Sequence, residues 1–374
     1  MKTGPVHVGH WGTYLATPEV SAASATVKLK VVVDNDSKQN ADVSVATGIF
    51  SLDANGDKEG AAVADVAPVS LQIGPGASGV AEGTGTIANP KLWGPPPTQK
   101  PNRYVAVTTV RQGGKVVDSC ETPFGVRTLK FDPNNGFFIN GEHIKLNGVC
   151  DHHDLGALGT AVNDRALQRQ LEMLVEMGCN AIRTSHNPPT PELLEFADKM
   201  GLLVMDEAFD CWAIQKRPFD YHRLFADWHE QDLRAMVRRD RNHPSVIMWS
   251  IGNEIPEQGR GTNGAAIAKE LSDIVHAEDA TRPTISAMND ARAGSLFAAA
   301  LDVIGLNYQG EGHRGTPAQY PVFHQSFPDK FAVGSETAST ISSRGEYTFP
   351  VSSGFGAVAG PKTGEDVTNH QMSS

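Results

Sequence analysis

Residues 246–254 read Val-Ile-Met-Trp-Ser-Ile-Gly-Asn-Glu, a nearly unbroken apolar run that closes on a glycine, an amide and a carboxyl. Apolar residues without alternation are how a strand reads when both of its faces are covered. With this strand placed at 245–251, similar runs lie at 144–149, 180–184, 202–206, 283–287, 303–307 and 331–335. Amphipathic stretches separate them. Leu167, Leu171, Leu174 and Val175 share one face of a helix, as do Ile267, Leu271, Ile274 and Val275. Segment 190–200 opens at Thr190-Pro191, with proline just inside the helix start.

Seven strands with crossover helices predict a parallel α/β architecture. A doubly wound sheet and a (β/α)8 TIM barrel both fit that count. The polar and ionisable residues favour the barrel, because they close nearly every strand: His152 and His153, Arg183 and His186, Asp206 and Glu207, Asn253 and Glu254, Asn307 and Tyr308, and Glu336. Barrels build their sites at those ends, whereas an open sheet gathers them at one switch point. Strand eight is not evident. Beyond Glu336 the chain is rich in Gly, Ser and Thr, and only Phe355 to Val358 could form a weak strand.

Residues 1–127 have a different texture. Val27, Leu29, Val31 and Val33 alternate with their neighbours, and the pattern returns at Val43 and Val45, at Val69, Leu71 and Ile73, and less cleanly at 104–110. Turn clusters such as Asp34-Asn35-Asp36 and Asp53-Ala54-Asn55-Gly56 lie between. Short strands so punctuated predict an all-β sandwich. The boundary falls near Gly125. A turn-rich hairpin over 131–141 then opens the second domain, 128–374.

Composition removes several function classes. The chain carries 43 acidic against 32 basic residues, a formal charge of −11, which argues against a nucleic-acid surface. No apolar run approaches the ~20 residues of a membrane span. The N-terminus as given has no signal-peptide core, so it reads as soluble and unexported if that terminus is the natural one. Compartment is otherwise open, and so is assembly into a homo-oligomer. Cys120, Cys150, Cys179 and Cys211 are widely spaced, giving neither a zinc knuckle nor a redox pair. No HExxH occurs, so catalytic zinc is not expected. Gly259 to Gly264 satisfies GxGxxG, but its strand ends eight residues earlier, and a loop-shaping role is the plainer reading.

Two carboxyls remain for chemistry. Glu254 at the mouth of the fourth strand is placed for partial desolvation, which raises a carboxyl's pKa and suits a proton donor. Glu336 reaches the same rim from the seventh. A separation of about 5–5.5 Å would give the double-displacement, configuration-retaining mechanism. The bland alternative for either residue is a solvated rim carboxylate or a helix cap.

Five motifs occur in order at successive strand ends: Asn147 to His153, Ala181 to Pro189, Asp206 to Trp212, Trp249 to Glu254, and Gly334-Ser335-Glu336. This segment resembles glycoside hydrolase family 2, in particular its β-galactosidase branch. The preceding sandwich, with Pro90-Lys91-Leu92-Trp93 and Tyr104, resembles that family's immunoglobulin-like domain. The resemblance implies Glu254 as acid/base and Glu336 as nucleophile. It also implies Asn253 on the sugar 2-hydroxyl, Arg183 keeping the nucleophile ionised, His186 on the sugar and Tyr308 hydrogen-bonded to the nucleophile. Asp210 and Trp212 would line the sugar subsite, Trp212 as a stacking face, and His153 is a further candidate sugar contact. Plainer readings stay open: Arg183 as a structural ion pair, His186 as a turn cap, Tyr308 and Trp212 as packing residues.

The chain also departs from the family pattern. Some β-galactosidases hold magnesium beside the acid/base with a His after strand three. Here that stretch is Asp210-Cys211-Trp212, so no cofactor is expected and the sequence argues against magnesium without excluding it. The family's leading jelly-roll domain and closing strand are not seen, which suggests an incomplete chain of poor activity on its own. The expectation is an exo-β-glycosidase for terminal β-galactose. β-Glucuronidase and β-mannosidase are alternatives within the family, and a non-catalytic carbohydrate-binding fragment is an alternative outside it.

Overall fold

A computed structural model describes residues 4–309 and 317–337. The N-terminal part is an all-β sandwich built from β1 (Val6–Val20), β2 (Ser24–Asn35), β3 (Ala41–Leu52), β4 (Lys58–Ile73), β5 (Ala77–Ala88), β6 (Arg103–Gln112) and β7 (Lys115–Phe124). One sheet runs β1-β2-β5 and the other β4-β3-β6-β7. Val27, Leu29, Val31 and Val33 of β2 are buried at alternate positions, facing Val43, Val45 and Ile49 of β3 in one core. The period-two pattern therefore marks the inner face.

Three strands escape the sequence pattern. Two register shifts interrupt β1, at Val8/Thr13 and Ala16/Glu19, and erase its alternation. In β5 the inner positions Gly83 and Gly85 lie under β4: a Cβ at Gly83 would sit 2.4 Å from the Val66 side chain. Close sheet packing thus demands residues that carry no strand signal. The third, β7, hairpins from β6 through Gly113-Gly114, both at positive φ, with Gln112 paired to Lys115. Two residues of that conformation make the turn whose twist matches the strands.

A short sheet of β8 (Leu129–Asp132), β9 (Gly136–Ile139) and β10 (Glu142–His143) follows, as the 131–141 hairpin predicts. Then come the parallel strands β11 (Gly148–His152), β12 (Ala181–Ser185), β13 (Leu203–Glu207), β14 (Val246–Asn253), β15 (Thr284–Met288), β16 (Val303–Asn307) and β17 (Ala332–Glu336), in chain order. Connecting helices are α1 (Asp164–Glu176), α2 (Pro191–Met200), α3 (His222–Asp240), α4 (Gly261–Glu278), α5 (Leu296–Ala299) and α6 (Tyr320–Ser326). This is the helix-connected parallel sheet of a TIM-barrel domain, with seven strands among the described residues. Phe355 to Val358 lie outside them.

Strand β11 starts later than its sequence suggests. The Ile144 amide is committed to the Phe137 carbonyl of the hairpin, at 2.9 Å, and parallel pairing begins only at Gly148 opposite Ala181. In α1, Leu167 and Leu171 are buried but Val175 is 43% exposed, so the predicted face is only half used. Asn163 caps that helix by accepting from the Ala166 amide. Pro191 opens α2 as expected. Of the GxGxxG glycines only Gly264 serves packing, since a Cβ there would lie 1.9 Å from the Glu257 carbonyl oxygen; Gly261 takes φ +55° and Gly259 has open space around it.

By density of contacts the described chain forms two compact units. One comprises the sandwich and the segments to Ala208, with Trp228–Trp249 and Asp273–Pro283. The other comprises Phe209–Asp227, Ser250–Ser272 and the chain from Thr284. Strand β14 belongs to both, its first half to the former and its last four residues to the latter.

Candidate active site

In the second unit β14, β16 and β17 each deliver polar residues at their C-terminal ends. All eight residues of β14 are buried, so its chain can reverse only where it leaves the sheet, at Glu254. Glu254 adopts φ +43°, and its amide is tied to the Ala287 carbonyl at 2.8 Å. Beneath it, Trp212 is fully buried and donates from Nε1 to the Ile251 carbonyl at 2.7 Å. A Cβ on Gly252 would stand 2.8 Å from that ring nitrogen. The glycine in Ile-Gly-Asn-Glu is therefore there to let the indole pass under the strand.

This placement corrects the expected role of Trp212. Its ring packs against Phe225 and Phe297, with centroids 6.4 and 5.8 Å away, inside the apolar core. It supports the carboxyl-bearing strand and offers no face to a sugar.

Asn253 connects the strand ends. Its Nδ2 donates to Asp210 Oδ1 at 2.9 Å, and its Oδ1 accepts from Asn307 Nδ2 at 3.2 Å. Asn307 Nδ2 also reaches Glu254 Oε1, at 3.1 Å, while Asn307 Oδ1 accepts from the Ser335 hydroxyl at 2.7 Å. The next residue, Tyr308, takes φ +63°, and its hydroxyl donates to Glu336 Oε2. Its amide donates to the Glu336 carbonyl at 2.7 Å. Consecutive residues at the end of β16 thus hold one carboxyl each, Asn307 that of Glu254 and Tyr308 that of Glu336. Lys216 completes the group, donating to Asp210 Oδ1 at 2.9 Å, to the Asp210 carbonyl at 2.8 Å and to the Asn253 carbonyl at 3.1 Å.

The first unit holds a second polar group at the ends of β11 to β13. Arg183 is buried and grips Glu207 with two nitrogens, Nε to Oε2 at 3.0 Å and Nη2 to Oε2 at 2.7 Å and Oε1 at 3.0 Å. His186 Nδ1 meets Glu207 Oε1 at 2.7 Å. A fully buried carboxylate so paired keeps Arg183 from any other rotamer. His152, not His153, adjoins His186, ring edge to face at 4.9 Å. His153 turns to the Thr160 carbonyl instead, at 3.1 Å. Nearby Asp151 is pushed up to about 6 by burial, against the opposing effect of His153.

Of the residues expected from sequence, Asn253, Glu254, Asp210, Tyr308 and Glu336 come together in one network, and Arg183 and His186 in another. Lys216, Asn307, Glu207 and Ser335 were not singled out as site residues. Asn307 and Glu207 are among the strand-end residues marked in the sequence, which gave them a place but no role. Lys216 lies in a connecting loop, where nothing in the sequence distinguishes it from a solvated lysine. Among the described residues no group of three or more His, Cys, Asp or Glu side chains is placed to hold a metal ion.

A parallel helix-connected sheet with carboxyls at the ends of strands four and seven has the form of a TIM-barrel domain with its polar residues gathered at the strand ends. The family model for the TIM barrel domain of glycosyl hydrolases family 2 matches residues 133–349, and a second model of family 2 matches residues 7–127. The chain belongs to glycosyl hydrolases family 2. It is 40% identical to the β-galactosidase BoGH2A of Bacteroides ovatus, over 93% of this chain and 43% of that protein. A β-glucuronidase of Bacteroides fragilis is 29% identical over 87% of this chain and 45% of its own length. Among solved structures, a family 2 member from Bacteroides cellulosilyticus superposes with a TM-score of 0.81 at 36% identity, covering 90% of this chain and 41% of that one. The chain thus spans less than half the length of these relatives.

Proposed function

We propose that this chain carries the catalytic residues of a retaining exo-β-glycosidase acting on terminal β-linked galactose. The observation that supports this reading is the Asn307-Tyr308 pair. Adjacent residues, whose Cα atoms are about 3.8 Å apart, hydrogen-bond the two carboxyls that the mechanism needs. Glu336 attacks the anomeric carbon while Glu254 protonates the departing oxygen, which leaves a covalent glycosyl ester. Glu254, now a carboxylate, takes a proton from water, and that water releases the sugar with its original configuration. Tyr308 fixes the rotation of the nucleophile's carboxyl. Asn253, held by Asp210 and Asn307, is oriented for the 2-hydroxyl. For Arg183 and His186, held by Glu207, the roles implied by the family resemblance stand as part of this proposal.

Galactose is preferred because the β-galactosidase relative is 40% identical. Relatives named β-glucuronidase, including a Bacteroides uniformis structure at TM-score 0.74 and 27% identity, support glucuronic acid as the second reading. A panel of nitrophenyl β-glycosides tests both. The galactoside should react fastest; a faster glucuronide or mannoside would displace the sugar assignment. Sugar binding with no hydrolysis of any member would replace catalysis with a binding role.

A further inference from the structure

The first unit contains a cavity of about 330 Å³ beside β1, lined by none of the residues of the carboxyl network. Three arginines line it: Arg127, Arg241 and Arg282. That is unexpected in a chain of charge −11.

Their counter-charges do not balance. Arg282 is fully engaged, with Nη1 on Asp279, Nε on the Val246 carbonyl at 2.7 Å and Nη2 on the His243 carbonyl at 3.0 Å. Arg241 lies over the Tyr14 ring, 4.6 Å from its centroid, and shares Glu278 with Arg234 and Arg238. Arg234 has Glu230 as a second partner, at 2.7 Å, so Arg238 and Arg241 depend on Glu278, whose carbonyl also accepts from Arg241 Nη1 at 3.0 Å. Arg241 is only 8% exposed, yet its Nε has no partner among the described residues. Among the described residues Arg127 makes a single hydrogen bond, from Nη2 to the same Val246 carbonyl at 2.8 Å. It forms no ion pair among the described residues, and its buried Nε is also unpartnered. Burial, and then the neighbouring Arg282, pull its pKa down to about 9, against the opposing effect of the Asp279 and Asp198 carboxylates. A desolvated guanidinium beside a like charge is costly unless an anion joins it.

We propose that this cavity is a binding site for a small tetrahedral oxyanion of the phosphate or sulfate type, held chiefly by Arg127 with Arg241. The forked donors of arginine match two oxygens of such an ion at once. The volume equals roughly ten water molecules, room for the ion and part of its hydration shell. The site is independent of the glycosidase reading, since it shares no residue with the carboxyl network.

Isothermal titration of the full chain with inorganic phosphate, against chloride at equal ionic strength, tests the proposal. One phosphate should bind per chain. Arg127→Gln should weaken it at least tenfold, and Arg127→Lys, which keeps the charge but not the fork, by less. A selenate soak of wild-type crystals supplies a second reading: its anomalous peak should lie in this cavity, in hydrogen-bonding range of Arg127. Phosphate heats equal to those of chloride would overturn the proposal. So would undiminished binding to a folded Arg127→Gln variant, or a selenate peak found only elsewhere.

Discussion

Glu254 and Tyr308 both sit in the left-handed region, at φ +43° and +63°, where a residue with a side chain costs on the order of 1–3 kcal/mol. Backbone bonds to Ala287 and Glu336 hold them there. Such strain at the ends of β14 and β16 is what a site that must aim its carboxyls would retain. Removing the Tyr308 hydroxyl deletes a bond to a charged group, about 1.5–3 kcal/mol. Tyr308→Phe should therefore lower kcat/KM roughly ten- to hundredfold, measured on a nitrophenyl galactoside; an unchanged value would detach Tyr308 from the nucleophile. Glu254→Ala should lower kcat on a methyl glycoside by about 10²–10⁴-fold and hardly affect a dinitrophenyl glycoside, whose leaving group needs no proton. Equal losses on both would remove Glu254 as the acid. The position of both carboxyls was legible because each closes an apolar run that the sequence marks as a strand. The partners of Glu254 were not: Asn307 lies 53 residues further on, and only the sheet brings it within 3.1 Å.

At the scale of elements, the unalternating apolar runs of β12 to β17 were read to within a residue or two; in β13 to β16 full burial on both faces leaves little else for the sequence to show. Strands β1, β5 and β7 were missed for the opposite reason: bulges, glycines and solvent-facing polar residues break the pattern. The Gly113-Gly114 turn was the signal that could have recovered β7. Trp212 was misassigned because an aromatic near a strand end reads alike whether it lines a pocket or props up a strand. Its partner Gly252 offers a test. Gly252→Ala places a methyl 2.8 Å from the indole nitrogen and should destabilise by about 1–3 kcal/mol while displacing Glu254. Thermal unfolding should show the loss, and kcat should fall more than KM changes. A variant as stable and active as wild type would refute the close-packing account.

Across the whole molecule, stability depends on charges buried away from the carboxyl network. Asp206 is fully buried, and burial, reinforced by the Asp240 carboxylate, raises its pKa well above the usual carboxylate range. A raised folded-state pKa gives stability that is complete below the unfolded value, about 3.9, and is lost as pH climbs through the folded one. Asp206→Asn has no proton to lose, so its stability relative to wild type should increase from pH 5 to pH 8 in urea titrations. A difference that stays constant across that range would contradict the assignment. Such buried ionisation was not legible in the sequence, where Asp206 is one more polar residue closing a strand. The claim on which everything else turns is that Glu336 is the nucleophile. A 2-deoxy-2-fluoro-β-galactosyl inactivator, followed by peptide mass spectrometry, tests it directly. The account predicts one fluorosugar per chain, attached to Glu336 and absent in Glu336→Gln; a label on another carboxylate would contradict it.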